Sequence, residues 1–315
     1  MLERLAAIPN LQVSQNVPLA RHTRFGIGGP ARILADASTE GALAAAIEAI
    51  RSAGAAFSVI GGGTNLVVSD AGFDGVVLRY TAGSIDITGK FASAGAGAML
   101  QSLVDATIDA GLHGIETMTG IPGWVGGAIY GNAGAYGQSI HERVESVRFF
   151  DGRAVREIGN AECEFRYRES IFKRRKEWIV LSATLRLEPG TSAELRATAG
   201  GILKIRNEKY PPTMRCAGSI FKNLLLVELP PAVRAQVPER VVREGKVPSA
   251  YFLEVAGAKG MSDGGIRVAD YHANLIYNDA GGTSEQVRRI IDELKRRVRE
   301  RFGFELEEEV QYVGF

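Results

Sequence analysis

The chain has 315 residues, of which 45% are hydrophobic and 23% are charged, and its formal net charge is +1. This composition is typical of a soluble globular protein of two or three domains, and it excludes a broad surface for nucleic acid or acidic lipid. Two cysteines and four histidines show no metal-ligand spacing, so we predict no metal and two free thiols in a reducing compartment. We expect neither a signal peptide nor a membrane span, and therefore a cytoplasmic protein.

The first third of the chain alternates predicted helices, short strands and glycine loops. Apolar residues three and four positions apart predict a helix from Thr39 to Gly54, with Ser38 as its cap, and a second over Ala98–Ala110. Short apolar runs predict strands in the segments 55–60, 75–80 and 84–89.

The pattern changes to strands after residue 137. An Asp-Gly pair at Asp151–Gly152 predicts a hairpin, and alternating apolar residues predict a strand over Trp178–Leu187. Near the end, Thr283 and Gln286 predict a capping box. The helix behind it turns these residues inward: Val287, Ile290, Ile291, Leu294 and Val298. The last segment, 304–312, alternates as a regular strand does.

Two segments are rich in glycine, "GGGTNLVVSD" from Gly61 and "GIPGWVGGAIYGNAGAYG" over Gly120–Gly137. Consecutive glycines after a strand let backbone N–H groups converge on an anion, and Thr64 and Asn65 add donors. A tight turn alone would also explain the first segment. The second carries aromatic residues that a linker does not need and glycines that disfavour a packed helix.

Neither segment completes a common phosphate-binding motif. GxxxxGK[ST] is missing, which excludes a Walker loop. The sequences "GIGGPA" (Gly26–Ala31) and "GAGAML" (Gly95–Leu100) do not complete GxGxxG between a strand and a helix, so a Rossmann site is unsupported. Two glycine-rich segments about sixty residues apart instead favour a long ligand with phosphates and a flat ring, such as FAD.

Further motifs accompany the glycine segments along nearly the whole chain. They are "HTRFGIGGPA" (His22–Ala31), "VIGGGTNLVVSDAGFDGVVL" (Val59–Leu78), "FRYRESIFK" (Phe165–Lys173), "AGSIFKN" (Ala217–Asn223), "AGAKGMSDGGIRVADYHANLIYN" (Ala256–Asn278) and "EVQYVG" (Glu309–Gly314). In this order they resemble the UDP-N-acetylenolpyruvoylglucosamine reductases.

The resemblance implies an α+β fold in two parts. Residues 1–190 would form an FAD-binding domain of the vanillyl-alcohol-oxidase (PCMH) type, with a small lobe at about 1–80 and a second at about 81–190. Residues 206–315 would form a smaller α+β substrate-binding domain. The short stretch between Leu187 and Arg206 indicates the form of the family that lacks an additional active-site loop.

The resemblance also implies the activity. NADPH would reduce a non-covalently bound FAD, which would then reduce UDP-N-acetylglucosamine enolpyruvate to UDP-N-acetylmuramate for peptidoglycan. These two small molecules would be the partners of a monomer or weak dimer. The same scaffold in a carbohydrate or alcohol oxidase, or in a non-catalytic flavin-binding protein, is the alternative; no evident flavin-linking cysteine or histidine supports the oxidase.

The resemblance assigns both glycine segments to FAD. The pyrophosphate would lie against Gly61, Gly62, Gly63, Thr64, Asn65 and Leu66. The rest of the cofactor would lie along Gly120, Ile121, Pro122, Gly123, Gly126, Gly127, Ala128, Asn132, Gly134 and Tyr136. Tyr136 could equally serve to pack its own loop.

The reaction itself needs a group that stabilises a carboxylate gaining charge and an acid aimed at C2. By resemblance, Arg168 would contact the carboxylate, Ser219 would donate the proton, and Glu309 would polarise the substrate with Arg168. Periodicity favours Glu308 instead, because Glu308 would share the apolar face of a regular final strand. The predicted substrate-binding residues are Lys222, Asn223, Lys259 and Arg215. The apolar segment 224–250 has no assigned role.

Overall fold

The computed structural model describes residues 1–315, which divide into two compact units. The first comprises Met1–Val17, Ala31–Gly63 and Asp74–Pro211, and the second comprises Pro18–Pro30, Thr64–Phe73 and Pro212–Phe315. Two N-terminal segments therefore belong to the unit that contains the C-terminal residues. The ranges 1–190 and 206–315 stay predictions of where FAD and substrate bind.

Nine α-helices are present, and none has both the length and the apolar character needed to cross a membrane. Their bounds are α1 Leu2–Ala6, α2 Glu40–Ser52, α3 Leu100–Asp109, α4 Val125–Tyr130, α5 Ile171–Arg174, α6 Ser192–Lys209, α7 Pro231–Arg234, α8 Ser249–Val255 and α9 Ser284–Phe302. Short 3-10 turns connect several of them.

Twenty-one strands, most of them short, complete the α+β fold that the sequence predicts. They are β1 Leu11–Pro18, β2 Pro30–Ala37, β3 Phe57–Val59, β4 Leu66–Val68, β5 Phe73–Tyr80, β6 Ile85–Thr88, β7 Phe91–Gly95, β8 Leu112–His113, β9 Gly134–Ala135, β10 Gln138–Ser139, β11 Val144–Phe150, β12 Val155–Gly159, β13 Ile179–Arg186, β14 Glu188–Pro189, β15 Cys216–Ser219, β16 Leu224–Leu225, β17 Lys246–Val247, β18 Ser262–Asp263, β19 Ile266–Ala269, β20 His272–Asn278 and β21 Gln311–Val313.

The first unit contains two sheets that share one apolar core. A four-stranded sheet has the order β1-β2-β5-β3, and a five-stranded sheet has the order β12-β11-β13-β7-β6. Helix α2 buries Leu43, Ile47 and Ile50 in this core, and α3 buries Leu103 and Val104. The strand β13 alternates as predicted because its outward side chains remain accessible on one face.

The second unit is built around a four-stranded sheet of order β15-β20-β19-β18. Helices α8 and α9 supply Phe252 and Leu294 to its core. The strand β4 pairs in parallel with β21, from Leu66↔Gln311 to Val68↔Val313, which explains why this N-terminal segment belongs here. The apolar segment 224–250 contributes Leu229, Val233 and Val247 to the same core, and its ends pair as β16 and β17.

Several local predictions are confirmed by hydrogen bonds. Thr283 and Gln286 form a reciprocal capping box on α9. The Asp151 hairpin joins β11 to β12, with Phe150 opposite Val155. The predicted cap of α2 is wrong by one residue: the side chain of Thr39, not Ser38, accepts the bond from Ala42 N–H at 3.2 Å.

The regular final strand is a wrong prediction. Only Gln311–Val313 is a strand, and a single bridge between Phe221 and Glu308 precedes it. The chain is irregular at Glu309 and Val310, so the alternation of faces is interrupted there. Glu308 therefore cannot be ranked above Glu309 by counting alternate residues.

Candidate active site

The two glycine segments touch each other within the first unit. A methyl group on Gly62 would lie 3.1 Å from Trp124 Cδ1 and 3.3 Å from Gly123 Cα. Gly63 has a left-handed φ of 66°, a conformation that favours glycine. The absence of side chains therefore lets the backbones of the two segments approach closely.

The second glycine segment is partly helical, which corrects the expectation that its glycines exclude a packed helix. Helix α4 includes Gly126 and Gly127. Gly126 N–H donates to the carbonyl of Ala96 at 2.9 Å, and a methyl group on Gly126 would lie 2.8 Å from Ala96 Cβ. Glycine is required here because the helix lies directly on a neighbouring backbone. At Gly127, by contrast, an added Cβ would meet no heavy atom within 4 Å.

The end of this segment is a tight hairpin between β9 and β10. Its turn residues, Tyr136 and Gly137, both have positive φ, at 53° and 83°, as a type I′ turn requires. Tyr136 is 46% exposed at the tip. Asn132, in contrast, is buried: its amide donates to the carbonyl of Arg166 at 2.8 Å, and its oxygen accepts from His141 N–H at 3.3 Å.

Side chains outside the segment fix its start and its middle. Gln101 Oε1 accepts a hydrogen bond from Gly120 N–H at 2.7 Å. Ser170 Oγ donates to the carbonyl of Tyr130 at 2.7 Å. Sequence reasoning missed both anchors because a lone glutamine or serine carries no local pattern that marks such a role.

Arg168 lies in a strained turn of the first unit. Arg166 and Glu169 exchange both backbone hydrogen bonds at 3.0 Å, which leaves Arg168 in the turn with φ of 57°. This left-handed conformation is costly for a residue with a Cβ and is often found at functional sites. Arg168 Nη2 donates to the carbonyl of Gly134 at 3.1 Å, and Lys173 Nζ donates to the Arg168 carbonyl at 3.1 Å.

The second unit brings Ser219 and Glu309 onto neighbouring segments. Glu309 N–H donates to the carbonyl of Ile220, the residue after Ser219, at 2.7 Å. The side-chain amide of Asn65 donates to the Glu309 carbonyl at 2.9 Å, and Gln311 N–H donates to the Asn65 carbonyl at 2.9 Å. Asn65, predicted to contact FAD, therefore positions the Glu309 backbone.

Glu308 is engaged in a local network. Its carboxylate accepts from Lys295 Nζ at 2.9 Å and from the hydroxyl of Tyr312. Burial, and then the hydrogen bond to Glu308, raise the pKa of Tyr312. These contacts give Glu308 a structural role in stabilising the chain end, and they leave Glu309 as the predicted functional glutamate.

The structure separates the four predicted substrate-binding residues into two groups. Lys222, 7% exposed, and Asn223 lie in the same segment as Ser219, after Ile220 and Phe221; Lys222 pairs with Glu307. Arg215 precedes β15, at the end opposite Ser219, and donates to the Asp279 carbonyl at 2.6 Å. Lys259 forms an exposed ion pair of 2.6 Å with Glu254. The structure thus does not bring Arg215 or Lys259 to Ser219.

The residues of the first unit fit a flavin dinucleotide. The backbones of the adjoining glycine segments approach each other without intervening side chains, and Gly127 borders open space. Both cysteines, Cys163 and Cys216, are buried free thiols, and burial raises the pKa of Cys163 to about 12. A protonated buried thiol is a poor nucleophile, which agrees with non-covalent FAD.

Comparisons with known proteins match both parts of the chain. Residues 31–156 match the family described as "FAD binding domain", and residues 210–313 match "UDP-N-acetylenolpyruvoylglucosamine reductase, C-terminal domain". The chain is 62% identical to the UDP-N-acetylenolpyruvoylglucosamine reductase of Solibacter usitatus, over 99% of this chain and 100% of that one. It is 38% identical to the Rubrobacter xylanophilus reductase, over 94% of each chain.

A solved structure shows the same likeness. The UDP-N-acetylenolpyruvylglucosamine reductase of Thermus caldophilus matches with a TM-score of 0.76 and 28% identity, over 96% of this chain and 99% of that one. The sequence identity over the full length, together with the FAD-binding match, establishes the family and its cofactor. The chain belongs to the UDP-N-acetylenolpyruvoylglucosamine reductase family and is an FAD-dependent oxidoreductase.

Proposed function

We propose that the chain reduces UDP-N-acetylglucosamine enolpyruvate to UDP-N-acetylmuramate, a step of peptidoglycan precursor synthesis, with NADPH as the electron donor. Arg168, Ser219 and Glu309 carry the chemistry. Membership of the reductase family supports the reaction, and the contacts of these residues support their roles.

The two glycine segments would hold FAD. Gly61–Gly63 would bind the pyrophosphate through backbone N–H groups, together with the adjoining Thr64, Asn65 and Leu66. Along the second segment, the residues that hold the cofactor are Gly120, Ile121, Pro122, Gly123, Gly126, Gly127, Ala128, Asn132, Gly134 and Tyr136. When bound, FAD supplies the hydride that C3 of the enolpyruvyl group accepts.

Ser219 holds the proton that is delivered to C2. A serine hydroxyl is a weak acid, so it can act only on a strongly basic carbon, and a carbanion at C2 meets that condition. Gly218, with φ of 79°, precedes Ser219 and allows the chain to turn at the end of β15. Lys222 and Asn223 bind the substrate close to this hydroxyl.

Arg168 stabilises the carboxylate that gains charge when hydride reaches C3. Its planar guanidinium offers paired donors that match a carboxylate. The strained turn keeps the guanidinium at a fixed place, since Gly134 and Lys173 bind the Arg168 side chain and carbonyl. Glu309 polarises the substrate together with Arg168. Arg215 and Lys259 stay weaker predictions because both are engaged away from Ser219.

A single observation supports the roles of Ser219 and Glu309 most strongly. The 2.7 Å bond between Glu309 N–H and the Ile220 carbonyl joins the segment of Ser219 to the segment of Glu309. Residues about 90 positions apart in the sequence are thereby held on adjacent backbones. Two motifs that were unrelated in function would have no reason to be bonded to each other in the fold.

The test uses the FAD-loaded protein without oxygen. NADPH is added until the flavin absorbance bleaches, and UDP-N-acetylglucosamine enolpyruvate is added next. We expect rapid return of the oxidised flavin spectrum in the wild-type protein and a loss of about 10²–10⁴-fold in that rate for Ser219→Ala, the usual effect of removing a general acid. Bleaching by NADPH should remain unchanged in the variant.

Other outcomes would refute the proposal. A reduced flavin that only air reoxidises would favour an oxidase on the same scaffold, and failure of NADPH to bleach it would favour a non-catalytic flavin-binding protein. Normal reoxidation of Ser219→Ala by substrate would remove Ser219 from its role.

We also propose a cytoplasmic monomer or weak dimer. The two buried free thiols support a reducing compartment. Light scattering across a range of concentrations would determine the oligomeric state.

A further inference from the structure

A buried amide on β20, that of Asn274, holds the segment that follows Ser219. Asn274 is 1% exposed, and its Oδ1 accepts from Phe221 N–H at 2.9 Å. Its Nδ2 donates to the Phe221 carbonyl at 2.8 Å and to Ser249 Oγ at 2.7 Å. Three of its four hydrogen-bonding positions are therefore used, in a strand whose neighbouring residues are apolar and buried.

The local geometry explains why a side chain is needed there. The pairing of β15 with β20 shifts register between Cys216↔Tyr277 and Ser219↔Leu275. Beyond Ile220, whose N–H still bonds to the Asn274 carbonyl, the chain leaves this ladder, and the N–H and carbonyl of Phe221 bond to the Asn274 side chain instead of to a strand backbone. The side-chain amide of Asn274 thus supplies the hydrogen bonds that a strand backbone would otherwise provide at Phe221.

We propose that Asn274 is a positioning residue for the substrate half of the reaction. Its amide fixes the backbone N–H and carbonyl of Phe221, and thereby positions the Ser219 hydroxyl on one side and the Lys222 ammonium on the other. This inference rests on the proposed role of Ser219.

The network around Asn274 connects it to both predicted catalytic residues of this unit. The Asn274 carbonyl accepts from Ile220 N–H at 3.2 Å, while the Ile220 carbonyl accepts from Glu309 N–H at 2.7 Å. A displacement at Ile220 would therefore move Ser219 and Glu309 together.

A purely apolar core would not require this network. Burial of an amide is unfavourable unless its hydrogen bonds are satisfied, and an aliphatic residue would fill the same space without this desolvation free energy. The hydroxyl of Ser249, which is fully buried, also donates to the Phe221 carbonyl at 3.3 Å. Two buried polar side chains thus converge on one carbonyl, that of Phe221, close in sequence to the serine proposed to donate the proton.

The experiment compares the two half-reactions of FAD-loaded Asn274→Ala by anaerobic stopped flow. We expect flavin reduction by NADPH to stay within about twofold of wild type, since no Asn274 contact involves the glycine segments of the first unit. Flavin reoxidation by UDP-N-acetylglucosamine enolpyruvate should slow by about 10–100-fold, because small displacements of a catalytic group have effects of that size. The decrease should appear in the rate of reoxidation at saturating substrate.

Asn278→Ala is the matched control. Asn278 lies on the same strand, is also buried, and bonds to the Phe25 carbonyl at 3.2 Å and to Gly282 N–H at 2.9 Å. Its removal should weaken the unit without moving Ser219, so both half-reactions should stay within about threefold of wild type. An equal slowing of reoxidation in both variants would overturn the proposal.

A double variant separates positioning from general weakening. In the Ser219→Ala background, Asn274→Ala should slow reoxidation by a smaller factor than it does in the wild-type background, because part of its effect acts through the hydroxyl that is already missing. The same loss in both backgrounds would contradict the proposal.

A milder variant keeps the proposal testable if Asn274→Ala does not fold. Ser249→Ala removes one hydroxyl and should slow reoxidation by about 3–10-fold, as expected for a small displacement; an unchanged rate would overturn the proposal. A wild-type protein that the enolpyruvyl substrate cannot reoxidise would instead refute the proposed function, which keeps the two failures distinct.

Discussion

The glycine segments of the first unit and the Ser219 segment of the second are held in place by opposite means. At Gly62, Gly123 and Gly126, side chains are absent, and neighbouring backbones lie within van der Waals distance. Around Ser219, the buried side chain of Asn274 and the partly buried side chain of Asn65 bind backbone groups that have no strand partner. The glycine segments are held by close packing of backbones that carry no side chains, and the Ser219 segment is held by hydrogen bonds from polar side chains in an apolar core.

The difference determines how each region tolerates change. An added methyl group is the damaging substitution in the glycine segments, because it separates two backbones. In the Ser219 segment the damaging substitution removes a polar group, because it leaves a buried peptide N–H or carbonyl without a partner. The following variants test that contrast.

The largest expected effect concerns the two glutamates beside the Ser219 segment. Glu309→Gln should lower the rate of flavin reoxidation by substrate about 100-fold, which corresponds to ~2.7 kcal/mol of transition-state stabilisation. The reason is that the change removes the charge proposed to polarise the substrate, while the backbone bond to Ile220 persists. Anaerobic single-turnover absorbance measures the rate.

Glu308→Gln is the control for that prediction. Its carboxylate pairs with Lys295 and Tyr312, so the change should lower the midpoint of thermal unfolding and leave the reoxidation rate nearly unaltered. Normal turnover in Glu309→Gln together with lost turnover in Glu308→Gln would reverse the assignment of the functional glutamate.

Adjacent glycines of α4 offer the next test. Gly126→Ala should destabilise the protein by about 1–2 kcal/mol, because the new methyl group would lie 2.8 Å from Ala96 Cβ and overpacking exceeds the gain in helix propensity. Gly127→Ala should raise the free energy of unfolding of the apoprotein by up to ~1 kcal/mol, since nothing lies within 4 Å of its Cβ position. Urea unfolding of the apoproteins measures both values.

The Gly127→Ala variant also tests where FAD binds. If FAD occupies the open space beside Gly127, Gly127→Ala should raise the Kd of FAD about tenfold, equivalent to ~1.4 kcal/mol, although its fold is stabilised. Flavin fluorescence quenching during titration gives the Kd. An unchanged affinity would show that Gly127 does not line the FAD site.

The sequence revealed the glycine segments because their composition is unusual, and the capping box of α9 because Thr283 and Gln286 interact locally. It did not reveal Asn274 as a support for Ser219, since the partners of that amide are 53 and 25 positions away. It also misplaced the final strand, because two irregular residues at Glu309 and Val310 shift the faces. Local spacing predicts local bonds, whereas long-range polar contacts depend on the assembled sheet.

The Asp151 hairpin tests whether backbone packing and side-chain hydrogen bonding differ between the two units, or only between glycine-rich segments and segments with polar side chains. It lies in the first unit, yet a side chain holds it: Asp151 binds Arg156 and accepts from Arg153 and Ala154 N–H at 2.8 and 2.7 Å. The hydrogen bond from Arg156, followed by those from the backbone, lowers the pKa of Asp151 to about 2. In the unfolded chain an aspartate has a pKa of about 3.9.

The sign of the pH effect follows from this lowered value. The ionised carboxylate of Asp151 contributes stability above pH ~4, and this contribution is lost as the pH falls towards 2. Because Arg156 is 61% exposed, screening by solvent limits the contribution to about 1 kcal/mol. The difference in free energy of unfolding between wild type and Asp151→Asn should therefore shrink between pH 5 and pH 2. A difference in free energy of unfolding that stays constant with pH would mean that the charge of Asp151 does not stabilise this turn. The hydrogen bonds of a polar side chain would then be enough to hold a backbone turn in either unit.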